Sequence, residues 1–288
     1  MDTIYRELSC ESALNKLKRS IPYGWDLNVY RGCAHGCVYC YAQYSHKYLE
    51  DDSFFSHIYA KTNIVEQLER ELSQPDWKRD VINIGGVTDS YQPAEETCRL
   101  MPEILKLLIR YKTPAIISTK STLILRDYDL IDELSRLTYI NVAATITTMD
   151  EAVRKSIEPC SAPSEARFAM LKEFRKTNAS IGLHMMPIIP YVTDGSENLE
   201  ALFANARDVQ VHYALPGTLY LRGQSRKTFF DWAQAAVPQQ YPALLQLYKT
   251  GGADKAYKDA LYARLLPLRE KYGLSGSYMA PMRAKMGK

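Results

Sequence analysis

Asn28-Val29-Tyr30-Arg31-Gly32-Cys33-Ala34-His35-Gly36-Cys37-Val38-Tyr39-Cys40-Tyr41 sets three cysteines in eight positions, spaced C-x3-C-x2-C. The stretch follows the first strand-like run, residues 27–30, and loops after strands build the active sites of parallel α/β barrels. Three thiolates on one loop match three corners of an iron–sulfur cubane and leave the fourth iron without a protein thiolate. Gly32 and Gly36 let the loop fold tightly and bring backbone N–H groups near cluster sulfurs. Zinc is the alternative. A structural zinc site wants four ligands, usually in cysteine pairs. His35 is the available fourth, although its place between the first two cysteines suits a closed tetrahedron poorly. On that alternative the chain is a zinc-stabilised, non-catalytic binding module using Cys33, Cys37 and Cys40.

Outward from this loop, strand-like and helix-like segments alternate. Short apolar, β-branched runs at 27–30, 81–84, 115–119, 140–147, 181–189 and 218–221 predict strands. Helical periodicity falls at 63–72, 94–111, 127–137, 164–176, 198–207 and 253–272. Pro93 opens the second of these, with Glu95 and Glu96 in its first turn. Pro102 is expected to kink or divide it, and Pro267 to interrupt the last. Six strands, mostly followed by helices, imply parallel βα units and a partial (β/α)6 barrel with an open side. The first twenty residues read as a polar helical lead-in. The expected organisation is a lead-in over 1–25, a core barrel over 26–225 and a helical extension over 226–288.

The chain has 288 residues, 46% apolar and 24% charged, with a net charge of +3. That composition is globular, and the charge neither demands nor excludes a nucleic-acid partner. No run of about eighteen apolar residues appears, so no membrane span is expected. Met1-Asp2-Thr3-Ile4-Tyr5-Arg6-Glu7 is too charged for a secretory signal, and a cytoplasmic location is the expectation. The other cysteines, Cys10, Cys98 and Cys160, form no C-x2-C pair. An auxiliary cluster is therefore not expected.

With its motifs taken in order, the chain resembles the radical S-adenosylmethionine (SAM) superfamily. Within it, the chain is similar to the spore photoproduct lyase-related, "DNA repair photolyase-like" subgroup. The resemblance rests on the cysteine loop and on Gly86-Val87-Thr88-Asp89-Ser90-Tyr91-Gln92-Pro93-Ala94-Glu95. Thr119-Lys120-Ser121 with Arg126-Asp127, Glu158-Pro159 with Arg167, and Pro187-Ile188-Ile189-Pro190 with Asp194 complete the series.

The resemblance implies a radical SAM enzyme with a [4Fe–4S] cluster on Cys33, Cys37 and Cys40 and SAM on the open iron. It implies reductive cleavage of SAM to a 5′-deoxyadenosyl radical that abstracts hydrogen from a substrate, the chemistry belonging to the cofactors. It also implies a reducing partner of flavodoxin or ferredoxin type and, from the subgroup, DNA carrying a lesion as a substrate. Tyr39 is placed by it near the SAM adenine or packed under the loop, and Gly85 and Gly86 where backbone approaches the methionyl amino group. Thr88 and Lys120 fall at the methionyl carboxylate, a charge that suits a lysine. Thr145 falls at the SAM ribose, and Thr147 shares its strand face. Asp89, Tyr91 and Glu95 are candidates to face substrate, while Glu158 and Arg167 read as a structural ion pair. Cys98 is the first candidate for a hydrogen donor to a substrate radical, and Cys160 the second.

Overall fold

The computed structural model describes residues 3–18, 21–49 and 51–286. Ten strands occur among them: β1 (Ile4–Leu8), β2 (Leu14–Lys16), β3 (Trp25–Leu27), β4 (Tyr30–Arg31), β5 (His57–Lys61), β6 (Ile82–Ile84), β7 (Ala115–Thr119), β8 (Ile140–Thr145), β9 (Ser180–Ile188) and β10 (Tyr213–Thr218). Seven form one sheet in the order β10-β9-β8-β7-β6-β3-β2. All neighbours from β3 to β10 are parallel, and β2 joins the β3 edge antiparallel. These six parallel strands are the expected partial (β/α)6 barrel. β1, β5 and β4 form a separate small sheet beside the cysteine loop.

Strand alternation decides what faces where. On β8, Ile140, Val142 and Ala144 enter the main apolar core with Phe168, Leu171 and Phe174 of the helix Ser164–Phe174. The intervening Asn141, Ala143 and Thr145 therefore face the barrel lumen. At the sheet's end the same inward row carries Gly182 on β9 beside Tyr213 on β10. A β-carbon at Gly182 would stand 2.0 Å from the Tyr213 ring, so the tyrosine occupies the space that a side chain there would need.

Several local expectations are corrected. The lead-in is not helical: Ile4–Leu8 pairs with β5 and Leu14–Lys16 with β3. Glu71 fixes this segment from a helix 57 residues away, accepting from Leu14 N at 2.9 Å and Ala13 N at 3.0 Å. Such a long-range tie leaves no periodic trace in the sequence. The last strand is Tyr213–Thr218, not 218–221. The 94–111 helix breaks at Arg99, in the left-handed region at φ 49°. Pro102 sits in the first turn of the following helix, Leu100–Tyr111, where its missing N–H costs nothing. Pro267 lies within a continuous helix, Lys255–Tyr272.

The helix Gly223–Ala236, without apolar periodicity clear enough to predict, packs Phe229, Phe230 and Ala233 against Cys37, Tyr39 and Ile157. The C-terminal extension thus roofs the cysteine loop. No helix among the described residues is long and apolar enough to cross a membrane.

Gly182→Ala is expected to lower stability by roughly 2 kcal/mol, in the range of core overpacking. Denaturant unfolding followed by circular dichroism measures it; an unchanged midpoint would show that the Tyr213 ring yields freely.

Candidate active site

The cysteine loop is shaped by its glycines and held by an amide, a hydroxyl and a carboxylate from the loop after β6. Gly32 adopts φ +84°, and a β-carbon there would lie 2.4 Å from the carbonyl oxygen of His57. The loop therefore crosses the small sheet at a distance only glycine permits. Its backbone is pinned by Cys33 N to Phe54 O at 3.0 Å and by Val38 N to Ile157 O at 3.0 Å. From the loop after β6, the buried Gln92 accepts from Ala34 N at 2.9 Å and donates to Gly32 O at 3.0 Å. Thr88 Oγ1 donates to the same carbonyl at 2.7 Å.

Asp89 is the busiest of these anchors. Its carboxylate meets His35 Nε2 at 3.0 Å and accepts from Thr119 Oγ1 at 2.8 Å, Lys120 N at 2.8 Å and Tyr91 N at 2.9 Å. Burial alone would raise its pKa; His35 and these donors outweigh that and hold it down at about 2. The other His35 nitrogen, Nδ1, meets Cys160 O at 3.1 Å. Both ring nitrogens of His35 are thus engaged by oxygen atoms of Asp89 and Cys160.

That arrangement removes the fourth ligand on which the zinc alternative depended. Moreover, no three His, Cys, Asp or Glu side chains among the described residues converge on a point that could hold one metal ion. The three thiols are nevertheless mutual neighbours. Burial pushes Cys33, Cys37 and Cys40 up to about 12, and each is raised further by another of the three. Three neighbouring thiols on one largely buried loop fit three corners of a multi-iron cluster.

Beside Cys37 lies a buried charged group. Glu158 and Arg167 are fully buried and pair at 2.7 Å. Arg167 also donates to Thr145 O at 2.5 Å, Ser161 Oγ at 2.5 Å and Ala162 O at 2.7 Å. The Tyr39 hydroxyl donates to Glu158. Burial would raise the Glu158 pKa, but Arg167, Lys120 and Tyr39 bring it below the ordinary value. Lys120 stands with its Nζ 5.8 Å from the centre of the Tyr39 ring. Burial opposes its charge, yet Cys37, Glu158 and Asp89 hold its pKa above the usual lysine range. Among the described residues, hydrogen bonds engage neither the Lys120 ammonium nor the Thr145 hydroxyl.

The structure thus gathers Cys33, Cys37, Cys40, Tyr39, Thr88, Lys120 and Thr145 at the C-terminal end of the barrel strands. Gly85 and Gly86 join them, with Gly85 at φ +91°. The nearest group to Gly86 is the Asp26 carboxylate, 2.8 Å from where a β-carbon would stand, and its carbonyl accepts from Tyr41 OH at 2.5 Å. Asp89, Tyr91 and Glu95 do not face an open substrate space. Tyr91 is bonded to Asp127 at 3.1 Å, and Glu95 takes Tyr30 OH at 2.5 Å and Met101 N at 3.0 Å. Cys98 lies toward the small sheet, where burial raises its thiol pKa and Glu95, Tyr30 and Glu7 surround it. Cys160 is exposed and flanks the loop, its N–H donating to His35 O at 3.2 Å. Gln92 and Asp26 are the residues sequence reading passed over. Gln92 stood inside a quoted motif, but nothing in the sequence shows which loop a glutamine side chain will reach.

The radical SAM superfamily sequence model matches residues 27–203. The chain belongs to the radical SAM superfamily. Radical SAM enzymes use a [4Fe–4S] cluster and SAM and draw an electron from a reducing partner. An uncharacterized protein of Mycobacterium tuberculosis is 32% identical over 280 residues, covering 95% of this chain and 82% of that protein. One of Methanocaldococcus jannaschii is 31% identical over 233 residues, covering 81% and 82%. Among solved structures, spore photoproduct lyase complexed with a dinucleoside spore photoproduct superposes with TM-score 0.68 at 13% identity, over 93% of this chain and 79% of that one. The radical SAM methyltransferase TsrM from Kitasatospora setae, with tryptophan and a SAM analog bound, gives 0.55 at 10% identity, over 84% and 51%. At these identities the likeness is one of fold.

Two outcomes check the anchors of this site. Arg167→Met is expected to cost about 3–5 kcal/mol in unfolding free energy, because it leaves Glu158 buried and unpaired. The double variant Glu158→Gln/Arg167→Met should recover part of that loss. For Asp89 the folded pKa, about 2, lies below the unfolded value of about 3.8. Its stabilisation is complete above the unfolded value and is lost as pH falls toward 2. The stability gap between wild type and Asp89→Asn, measured by urea unfolding, should therefore narrow steadily from pH 5 to about 2.

Proposed function

We propose that Cys33, Cys37 and Cys40 hold the [4Fe–4S] cluster and that Lys120, Thr145 and the backbone at Gly85 and Gly86 seat SAM. The observation that carries this is the free Lys120 ammonium beside Cys37, at the mouth of a loop whose three thiols adjoin one another. When bound, the cluster and SAM supply reductive cleavage to a carbon radical for hydrogen abstraction. The protein's own contribution is positional. Lys120 offers a point charge for the methionyl carboxylate. Glu158 orients Tyr39 through its hydroxyl, and the ring and Lys120 lie together. Arg167 fixes the end of β8 and with it the free hydroxyl of Thr145. Thr88 and Gln92 hold the loop by Gly32 and so act on the thiols indirectly.

The electron donor is a flavodoxin or ferredoxin, and the setting is cytoplasmic. The substrate class favoured by the fold's likeness to spore photoproduct lyase is a nucleic-acid lesion. Exposed Tyr44, Tyr48 and Tyr220 are rings on which bases can stack. A hydrogen-donor role for Cys98 has less support than its place in the sequence suggested, because it lies toward the small sheet.

Anaerobic reconstitution is expected to give a brown protein with about four irons per chain. With dithionite and SAM it should release 5′-deoxyadenosine, and Cys37→Ala should not. Equal product from the two proteins would overturn the assignment. Lys120→Met should raise the SAM concentration for half-maximal cleavage about tenfold, the scale of one charge-assisted contact.

A further inference from the structure

The lumen beneath the SAM seat is built in three rungs, read from the pairing of adjacent strands. The lowest runs Asp26, Asn83, Ile116, Asn141, Ser180. The middle one runs Ser118, Ala143, Gly182, Tyr213. In the upper rung Thr145 pairs with His184, and Lys120 stands two residues beyond Ser118 on the same face. The middle rung is made of small residues, and only the Tyr213 ring enters it, over Gly182. A chamber is left below Lys120 and Thr145. Ser118, Asn83 and His184 are the partly accessible members of strands otherwise largely buried.

Its walls are polar and oriented. His184 bridges the chamber side, with Nδ1 at 3.0 Å from Ser118 Oγ and Nε2 at 3.3 Å from Tyr213 OH. Tyr213 gives its one proton to Asn141 Oδ1 at 3.1 Å. It must therefore accept from Nε2–H, which leaves Nδ1 as an acceptor for the Ser118 hydroxyl. Burial, then Lys120, lowers the His184 pKa to about 4 and keeps the ring neutral, as this line requires. The Ser118 oxygen consequently turns its lone pairs to the lumen. Two strands away, in the lowest rung, Asp26 spends one carboxylate oxygen on Asn83 Nδ2 at 2.8 Å, and the other, beside Gly86, has no hydrogen bond among the described residues. At the floor, Asn141 Nδ2 is buried with no hydrogen-bond partner among the described residues, while Ser180 Oγ lies beside Tyr139. A buried donor left unpaired is costly, and a bound group that accepts from Asn141 Nδ2 removes that cost.

We propose that this chamber seats the reacting end of the substrate and takes an amide or imide group. Its N–H is received by Ser118 Oγ and Asp26, and its carbonyl by Asn141 Nδ2. His184 and Tyr213 are positioning residues that fix the Ser118 hydroxyl. The inference rests on the SAM seat proposed above, because that seat defines which end of the lumen holds the reacting atoms.

The test uses two probe pairs on the reconstituted, SAM-loaded protein, read by saturation-transfer NMR: acetamide against N,N-dimethylacetamide, and succinimide against N-methylsuccinimide. In at least one pair the N–H member should bind about tenfold more tightly, since a site built for a donor rejects the analogue lacking it. That preference should fall to twofold or less in Ser118→Ala and in Asp26→Asn, each first checked for a wild-type thermal melt. The pair that discriminates tells an open-chain from a ring amide. Equal binding within both pairs, or a preference that survives both substitutions, overturns the proposal. Failure of the SAM seat would show separately, as wild-type protein that releases no 5′-deoxyadenosine with dithionite and SAM.

Discussion

The site depends on the buried carboxylate of Asp89. It receives hydrogen bonds from the cysteine loop through His35, from the end of β7 through Thr119 and Lys120, and from its own loop through Tyr91. One ionised group thus sets three segments against each other. Glu158 does the same work from the other flank, through Arg167 and Tyr39. Buried charges of this kind add little net stability against an apolar replacement, but each is expensive to leave half-paired. Their effect is to make one arrangement of the loop far better than its neighbours. That ordering keeps the three thiols of the loop adjacent.

Much of the barrel was legible because its strands are short apolar runs and its outer helices carry apolar residues at helical spacing. β7 coincides with its apolar run, and β8 and β9 each start within a residue of theirs. The small sheet was not legible. Ile4–Leu8 has no apolar face toward a core, its residues are mostly exposed, and it is a strand because β5 lies beside it. A helical extension was expected, but its first helix was not, for a related reason: Gly223–Ala236 gains its order from packing on Cys37 and Tyr39, not from a periodic stripe of its own.

In the site, spacing located the three cysteines, and the family resemblance set Lys120 and Thr145 beside them at strand ends. The same reading put Asp89, Tyr91 and Glu95 toward substrate, where the structure has them facing inward as scaffolding. Acids and tyrosines in a motif carry no mark of direction; a carboxylate that binds substrate and one that braces a loop have the same sequence signature. Gln92 and Asp26 were invisible for the same reason, since their importance lies in which backbone they reach.

Cys37 and Tyr39 share one apolar cluster with Phe229, Phe230 and Leu244 of the C-terminal helices. Order in the cysteine loop and docking of the extension are therefore coupled through the packing they share. Whatever meets those helices from outside meets a surface whose order depends on the loop beneath it.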